Sequence, residues 1–257
     1  MPSRIVVTGA AGFLGRHIIP VLQKHYGAGS VLGVTRRDYD LQDAAAVSRM
    51  FADHRPEIVV HLGAYSGGIG ANLSRPADFY YRNTLLQALV FEAAARHGVK
   101  KLVYPIGGCG YPARAASPIG EEQMWEGLPQ SESLAYSSAK KMGLVAARAY
   151  RAQYGMSVSV VVPGNVYGDH DNFRRDESHV IAATVRRIFE AHRAGDPSVK
   201  MWGSGRPVRD FVYAGDVAAL IPFFIDHYDS PEPVNLSTGT ATSIREMAEA
   251  VCRVVGY

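Results

Sequence analysis

Short β-branched runs alternate with longer segments of helical periodicity, and this alternation most narrows the folds open to the chain. Strand-like runs fall at residues 4–8, 31–35, 57–62, 101–106 and 157–162. Helical patterns separate them at 12–26, 40–54, 76–97 and 133–154. Runs such as Val158-Ser159-Val160-Val161-Val162 are almost continuously apolar, which suits strands covered on both faces. Strands that alternate with helices in this way are joined by crossovers into a parallel sheet, so the expected class is a doubly wound α/β fold. Beyond Pro163 the rhythm changes. Residues 164–175 read as loop, 177–193 as helix and 195–209 as turns, followed by helices at 217–225 and 243–255.

Composition excludes several classes. Apolar residues make up 47% of the 257, the usual share for a globular chain and too many for disorder. The longest uncharged apolar run, Val217 to Ile225, is interrupted by Pro222 and falls far short of the about 20 residues that span a bilayer. A first strand starting near Arg4 leaves no room for a secretory leader, and Cys109 and Cys252 are far apart with no CxxC spacing. A cytoplasmic protein with reduced thiols is expected. No clustering of residues suggests a metal site. The net charge of +3 is too small to favour nucleic acid, although 21 Arg against 6 Lys suits phosphate-bearing small molecules.

Directly after the first strand comes Thr8-Gly9-Ala10-Ala11-Gly12-Phe13-Leu14-Gly15. Gly9 permits a tight turn, Gly12 lets backbone approach a pyrophosphate, and Gly15 lets the helix lie close to the sheet. Phe13 and Leu14 open that helix, whose positive N-terminus attracts the anion. Strand, glycine loop and helix in this order indicate a Rossmann-type dinucleotide site. At the end of the second strand, where an acid would hold a ribose 2′-hydroxyl, the chain reads Thr35-Arg36-Arg37. Arg36 and Arg37 favour a 2′-phosphate and hence NADP(H), unless they are ordinary surface charges. The expected organisation is a dinucleotide-binding domain over 1–163, completed by part of 208–236. Residues 164–207 and 237–257 would form a smaller C-terminal substrate domain, with the chain expected to continue past Tyr257.

Tyr136-Ser137-Ser138-Ala139-Lys140 places a phenol and an ammonium four residues apart on one helix face. A nearby cation lowers a phenol pKa, which makes Tyr136 a candidate proton donor or acceptor at a carbonyl. Together, the glycine loop and this pair resemble the extended short-chain dehydrogenase/reductase superfamily. The resemblance implies that Lys140 orients the nicotinamide ribose and Tyr136 moves the substrate proton. A Ser or Thr normally completes that set after the fourth strand; here Gly107 stands at that position and Gly108 follows it.

Further stretches resemble one branch, the GDP-fucose synthases (GDP-4-keto-6-deoxymannose 3,5-epimerase/4-reductases). They include Gly67-Gly68-Ile69-Gly70-Ala71-Asn72, Cys109-Gly110-Tyr111-Pro112 and Tyr167-Gly168-Asp169-His170-Asp171-Asn172-Phe173. Ser178-His179-Val180-Ile181 and the run from Trp202 to Phe211 extend the likeness over nearly the whole chain. It implies that Cys109 and His179 are the acid/base pair for epimerisation. Arg187, Trp202 and Arg209 would lie near the sugar nucleotide, and Asn165 near the nicotinamide. A homodimer through the two long helices is expected on the same ground. Ala182 and Thr184 replace the Pro and Leu of the family helix, which leaves the nucleotide open.

The chemistry is coherent. A 4-keto group acidifies the hydrogens at C3 and C5, and inversion needs a base on one face and an acid on the other. Thiolate and imidazole can both work near neutral pH. Rival readings are a 3,5-epimerase with little reductase activity on another nucleotide sugar, and a catalytically weak NADPH-binding sensor. A 4,6-dehydratase would need an Asp-Glu pair beside Gly107, and an NAD-retaining 4-epimerase an acid in place of Arg36. Cys109 could instead be a small buried thiol, and Arg187 and Arg209 salt-bridge partners. His61 and His97 lack a motif context and read as structural.

Overall fold

A computed structural model describes residues 4–175 and 177–257. The first half follows β1 (Ile5–Thr8), α1 (Phe13–Tyr26), β2 (Val31–Val34), α2 (Ala44–His54), β3 (Ile58–His61), α3 (Ile69–Ser74) and α4 (Pro76–Arg96). Then come β4 (Lys101–Pro105), α5 (Leu134–Tyr154), β5 (Ser157–Pro163), β6 (Asn165–Tyr167) and α6 (Val180–Ala194). The chain closes with β7 (Val208–Arg209), β8 (Phe211–Tyr213), α7 (Ala214–Asp226), β9 (Val234–Leu236), β10 (Thr242–Ser243) and α8 (Ile244–Val255).

Six strands form one sheet in the order β2-β1-β3-β4-β5-β9, and every pairing in it is parallel. Alternation along β1 sends Val6 to one face and Ile5 and Val7 to the other, and both faces are buried. On the first face Phe51 of α2, Val90 and Phe91 of α4 and Leu144 of α5 pack with Leu102 and Tyr104 of β4. On the second, Ile18 and Leu22 of α1 meet Val217, Ile221 and Phe224 of α7. The expected doubly wound fold is therefore present. The strand order reverses between β1 and β3, so a crevice opens at the carboxyl ends of these strands, where ligands bind in such sheets.

Local chemistry shifts several boundaries from their expected places. The second helix starts at Ala44 rather than residue 40, because the Asp43 carboxylate accepts from Ala45 N–H at 2.9 Å and caps it. The sixth helix starts at Val180 because the Glu177 carbonyl is engaged by Gly68 N–H at 2.9 Å. Residues 164–175, expected as loop, contain β6, which pairs with β8. The sixth sheet strand, β9, has only three residues around Asn235, too few to show a period. At the far end α6 packs against α8, and a Ser243–Glu246 capping box starts α8. No helix among the described residues is long and apolar enough to cross a membrane.

Leu102 is fully buried in a central strand. Leu102→Ala is expected to destabilise the fold by about 2–5 kcal/mol, measurable by denaturant unfolding.

Candidate active site

The phosphate loop connects β1 to α1 at the crevice. Gly9 has φ +69°, a left-handed conformation that disfavours a side chain. A Cβ on Gly15 would lie 2.5 Å from the Gly9 carbonyl oxygen, so only glycine lets α1 approach the loop this closely. Gly12 caps α1 without a side-chain hydrogen bond, and the first turn carries no acid. Phe13 and Leu14 begin that turn. The free N–H groups and the missing Cβ atoms make a cradle that fits a dinucleotide pyrophosphate.

Beneath the loop, Thr8 Oγ1 lies 2.8 Å from His61 Nδ1 and accepts from Gly63 N–H at 3.1 Å. Burial holds the His61 imidazole at about 3, so it stays neutral. His97 stacks on Phe51 at the opposite end of the sheet, so both histidines serve packing. At the end of β2, Arg36 is engaged by Asp40 through an Nη2–Oδ2 contact of 3.1 Å. Arg37 is exposed and its side chain has no ion-pair partner among the described residues. Asp38 folds back to accept from Thr35 N–H and Oγ1–H, each at 2.8 Å. The two arginines expected to act together therefore differ, and Arg37 is the one with its guanidinium unpaired.

Tyr136 and Lys140 sit on consecutive turns of α5, and Cys109 lies on the short helical turn after β4. Lys140 is buried, with Nζ 3.9 Å from the centre of the Tyr104 ring and no carboxylate pairing with it among the described residues. Burial lowers its pKa to about 7, and Cys109 opposes that fall. Tyr136 is half-buried with its ring edge-on to Phe79, and burial, then the Cys109 charge, raises its pKa. The expected lowering of the phenol by Lys140 is thus corrected: burial and the Cys109 charge raise it, and Lys140 is not among the groups that shift it. Burial also raises the Cys109 thiol, against the opposing pull of the Ser137 hydroxyl and Lys140. The thiol is nonetheless open to the crevice, so its desolvation becomes complete only when a ligand covers it. The expected ready thiolate at neutral pH is likewise corrected.

Gly107 leaves the hydroxyl position empty, and a Cβ there would lie 3.2 Å from Cys109 Sγ. His179 is exposed at the head of α6, and its charge acts on Asp171 rather than on Cys109 or Tyr136. Asn165 opens β6, its N–H bound to the Asp210 carbonyl at 2.8 Å. Arg187 places its guanidinium 4.7 Å over the Trp202 indole, which is 76% exposed. Arg209, on β7, donates to the Val208 carbonyl at 2.8 Å and touches neither. The structure thus joins Cys109, Tyr136 and Lys140 in one group and Arg187 with Trp202 in another. Ser137, Tyr104 and Asp171 are additions to which sequence reasoning gave no role; Ser137 had a signal there through its place beside Tyr136, and Asp171 through its place in the stretch from Tyr167 to Phe173. Among the described residues there is no cluster of three or more metal-ligating side chains.

A dinucleotide cradle at the strand reversal, with a tyrosine and a lysine on the helix facing it, defines a nucleotide-dependent α/β enzyme. The chain belongs to the NAD dependent epimerase/dehydratase family, which it matches over residues 5–237. It is 37% identical to the GDP-L-fucose synthase of Sinorhizobium fredii over 255 residues, covering 99% of this chain and 81% of that one. The GDP-L-fucose synthase of Escherichia coli is 35% identical, with 99% and 82% covered. Among solved structures, a GDP-D-glycero-L-gluco-heptose synthase from Campylobacter jejuni, determined in the presence of NADPH, superimposes with a TM-score of 0.89. It is 28% identical, with 99% of this chain and 86% of that one covered.

Because Lys140 is depressed in the fold from its ordinary 10.5, the unfolded chain binds the extra proton between about pH 7 and 10.5. Its contribution to stability is therefore least favourable below pH 7 and improves as pH rises through that window. Lys140→Met is expected to raise Tm more at pH 6 than at pH 9.5 in ligand-free protein. Thermal melts at the two pH values check this.

Proposed function

We propose that the chain is an NADPH-dependent 3,5-epimerase/4-reductase of a nucleotide-linked 4-keto-6-deoxy sugar, with GDP-4-keto-6-deoxymannose as substrate and GDP-fucose as product. The observation that carries this reading is the coupled group of Cys109, Tyr136 and Lys140 beside the phosphate cradle. The GDP-L-fucose synthases it resembles add the substrate class. In this reading residues 1–163 with part of 208–236 bind the cofactor in the cytoplasm. Residues 164–207 and 237–257 bind the sugar nucleotide, and exposed Tyr80, Tyr81, Met142 and Val145 on α4 and α5 serve a homodimer.

Epimerisation comes first. Cys109 takes the acidic hydrogen at C3 or C5 as thiolate, which Lys140 stabilises by charge, and His179 supplies a proton on the opposite face, oriented by Asp171. Tyr136, kept protonated by its raised pKa, donates to the sugar O4 as charge develops there. The bound cofactor supplies the two-electron reduction of C4. Gly9, Gly12, Phe13, Leu14 and Gly15 hold its pyrophosphate, Arg37 its 2′-phosphate with Arg36 behind, Lys140 its ribose, and Asn165 lies towards its nicotinamide. Trp202 and Arg187 form an open platform for the nucleotide, with Arg209 towards its diphosphate.

Gly107 favours a second reading, a 3,5-epimerase with weak reduction, because one hydroxyl that would polarise the carbonyl is missing. Losing one such donor costs about 10²–10³ in rate elsewhere.

Incubation with the 4-keto sugar nucleotide in D₂O tests the reading: deuterium at C3 and C5 reports epimerisation, and fading NADPH absorbance reports reduction. Cys109→Ser is expected to cut deuterium uptake about a hundredfold or more while NADPH still binds. Unchanged exchange in that variant would remove Cys109 as the base. For the cofactor, Arg37→Ala is expected to weaken NADPH binding about tenfold or more and to leave NADH binding unchanged. Titration of both nucleotides checks it, and Arg36→Ala, whose side chain is held by Asp40, should do less.

A further inference from the structure

Ser137 is fully buried one residue after Tyr136, on the helix face turned towards Cys109. The short turn that carries Cys109 packs against α5, and the Ser137 hydroxyl pulls the Cys109 thiol pKa down against the effect of burial. The same hydroxyl lies 3.1 Å from that of Ser133, one turn earlier at the head of α5. Ser133 lines a cavity of about 150 Å³ together with Asn72, Leu73, Ser131, Glu132 and Leu134. Ser131, Glu132 and Leu134 are exposed at its mouth. Asn72 is 5% exposed, and its Oδ1 has no partner among the described residues, an acceptor suited to a bound water. Ser133 makes no capping hydrogen bond to α5, so its hydroxyl has no structural duty at the helix start.

A thiol, two hydroxyls one turn apart and a cavity thus follow one another along one face of α5, from the crevice to the head of the helix. A hydroxyl both donates and accepts, so such a line can reverse the direction of all its hydrogen bonds at once. We propose that Ser137 and Ser133 are a proton relay between the Cys109 thiol and solvent in the cavity at the head of α5, working while substrate covers the crevice. The inference rests on Cys109 being the epimerising base.

The step balances without any redox change. When Cys109 takes hydrogen from C3 or C5, the C–H bond breaks, its electron pair enters the enolate and an S–H bond forms. The thiol proton then passes to Ser137 Oγ, the Ser137 proton to Ser133 Oγ, and the Ser133 proton to water in the cavity, restoring the thiolate. Glu132 at the cavity mouth is a carboxylate to which that water can pass the proton. Two successive inversions need the thiolate twice, and the relay resets it without opening the crevice. Tyr136 and Lys140, both on α5, are the titratable groups whose charge acts with that of the thiol, and neither lines the cavity.

Two measurements separate the relay from the reading it rests on. The first uses no substrate: in a Cys252→Ser background, the rate of Cys109 alkylation by iodoacetamide is followed against pH. Ser137→Ala is expected to slow it about tenfold at neutral pH and to move its midpoint upward, since a donor to the thiolate is lost. Ser137→Thr should restore the profile. The second is deuterium uptake at C3 and C5 from D₂O. Ser133→Ala leaves Ser137 beside the thiol, so its alkylation profile should remain near wild type while the rate of deuterium uptake falls several-fold. A wild-type rate of uptake in Ser133→Ala would overturn the relay and leave Cys109 as base untouched. An unchanged alkylation profile in Ser137→Ala would overturn the sulfur contact and the relay with it. No uptake in the wild-type protein would instead overturn the role of Cys109. Retained NADPH binding in each variant shows that the fold is intact.

Discussion

The phosphate loop and Cys109 stand at one edge of a parallel sheet whose two faces are buried, and Tyr136 and Lys140 reach the same place from α5 packed on that sheet. The sheet order reverses between β1 and β3, and a pair of neighbouring strands whose following connections leave in opposite directions cannot close the space above their carboxyl ends. The glycine loop lines that opening, with Thr8 and His61 buried beneath it, and Cys109 reaches it from the turn after β4. The Thr8 hydroxyl, shared between His61 and Gly63, ties the ends of the two diverging strands together underneath it. This edge depends on packing from both sides: Phe51, Phe91 and Leu144 press on one face, Ile18, Leu22 and Phe224 on the other.

Lys140 brings a cost to that arrangement. Its ammonium is buried against the Tyr104 ring with no carboxylate pairing with it among the described residues, and burial of an unpaired charge disfavours the charged form. The resulting pKa near 7 ties its proton to that of Cys109, since thiolate and ammonium each favour the other. Anionic ligand in the cradle adds further negative charge and so favours the protonated lysine. Ligand binding and acid/base state are in this way linked through one side chain.

The residues proposed to meet the sugar nucleotide lie further out, on surfaces less constrained by packing. Arg187 over Trp202 is a polar and aromatic platform open to solvent, and Arg209 stands on a separate two-stranded ribbon formed with β10. Gly107 opens space directly beside Cys109 Sγ. A Cβ there would press the sulfur, so the sulfur position and the missing side chain are two sides of the same local choice.

Much of this was legible in the sequence because it rests on local periodicity and on residues a few positions apart. The alternation of strands and helices, the glycine loop and the Tyr136–Lys140 spacing are all of that kind, and each is where it was expected. The three-residue β9 and the short α3 were not legible, since neither is long enough to show a period and both depend on distant partners. The protonation states were not legible either. Spacing suggested a lowered phenol, and the family resemblance a thiolate working near neutral pH, whereas burial raises both, because desolvation depends on everything packed around a group. The pairing of Arg36 with Asp40, that of Arg187 with Trp202, and the hydrogen bond from Ser137 to Ser133 are likewise visible only in three dimensions. Sequence by itself determined which elements form and which face of each is apolar, because those follow from the chain's own repeat. Tertiary structure decided which side chains meet and how strongly each holds its proton, because contact and dielectric are properties of the packed whole.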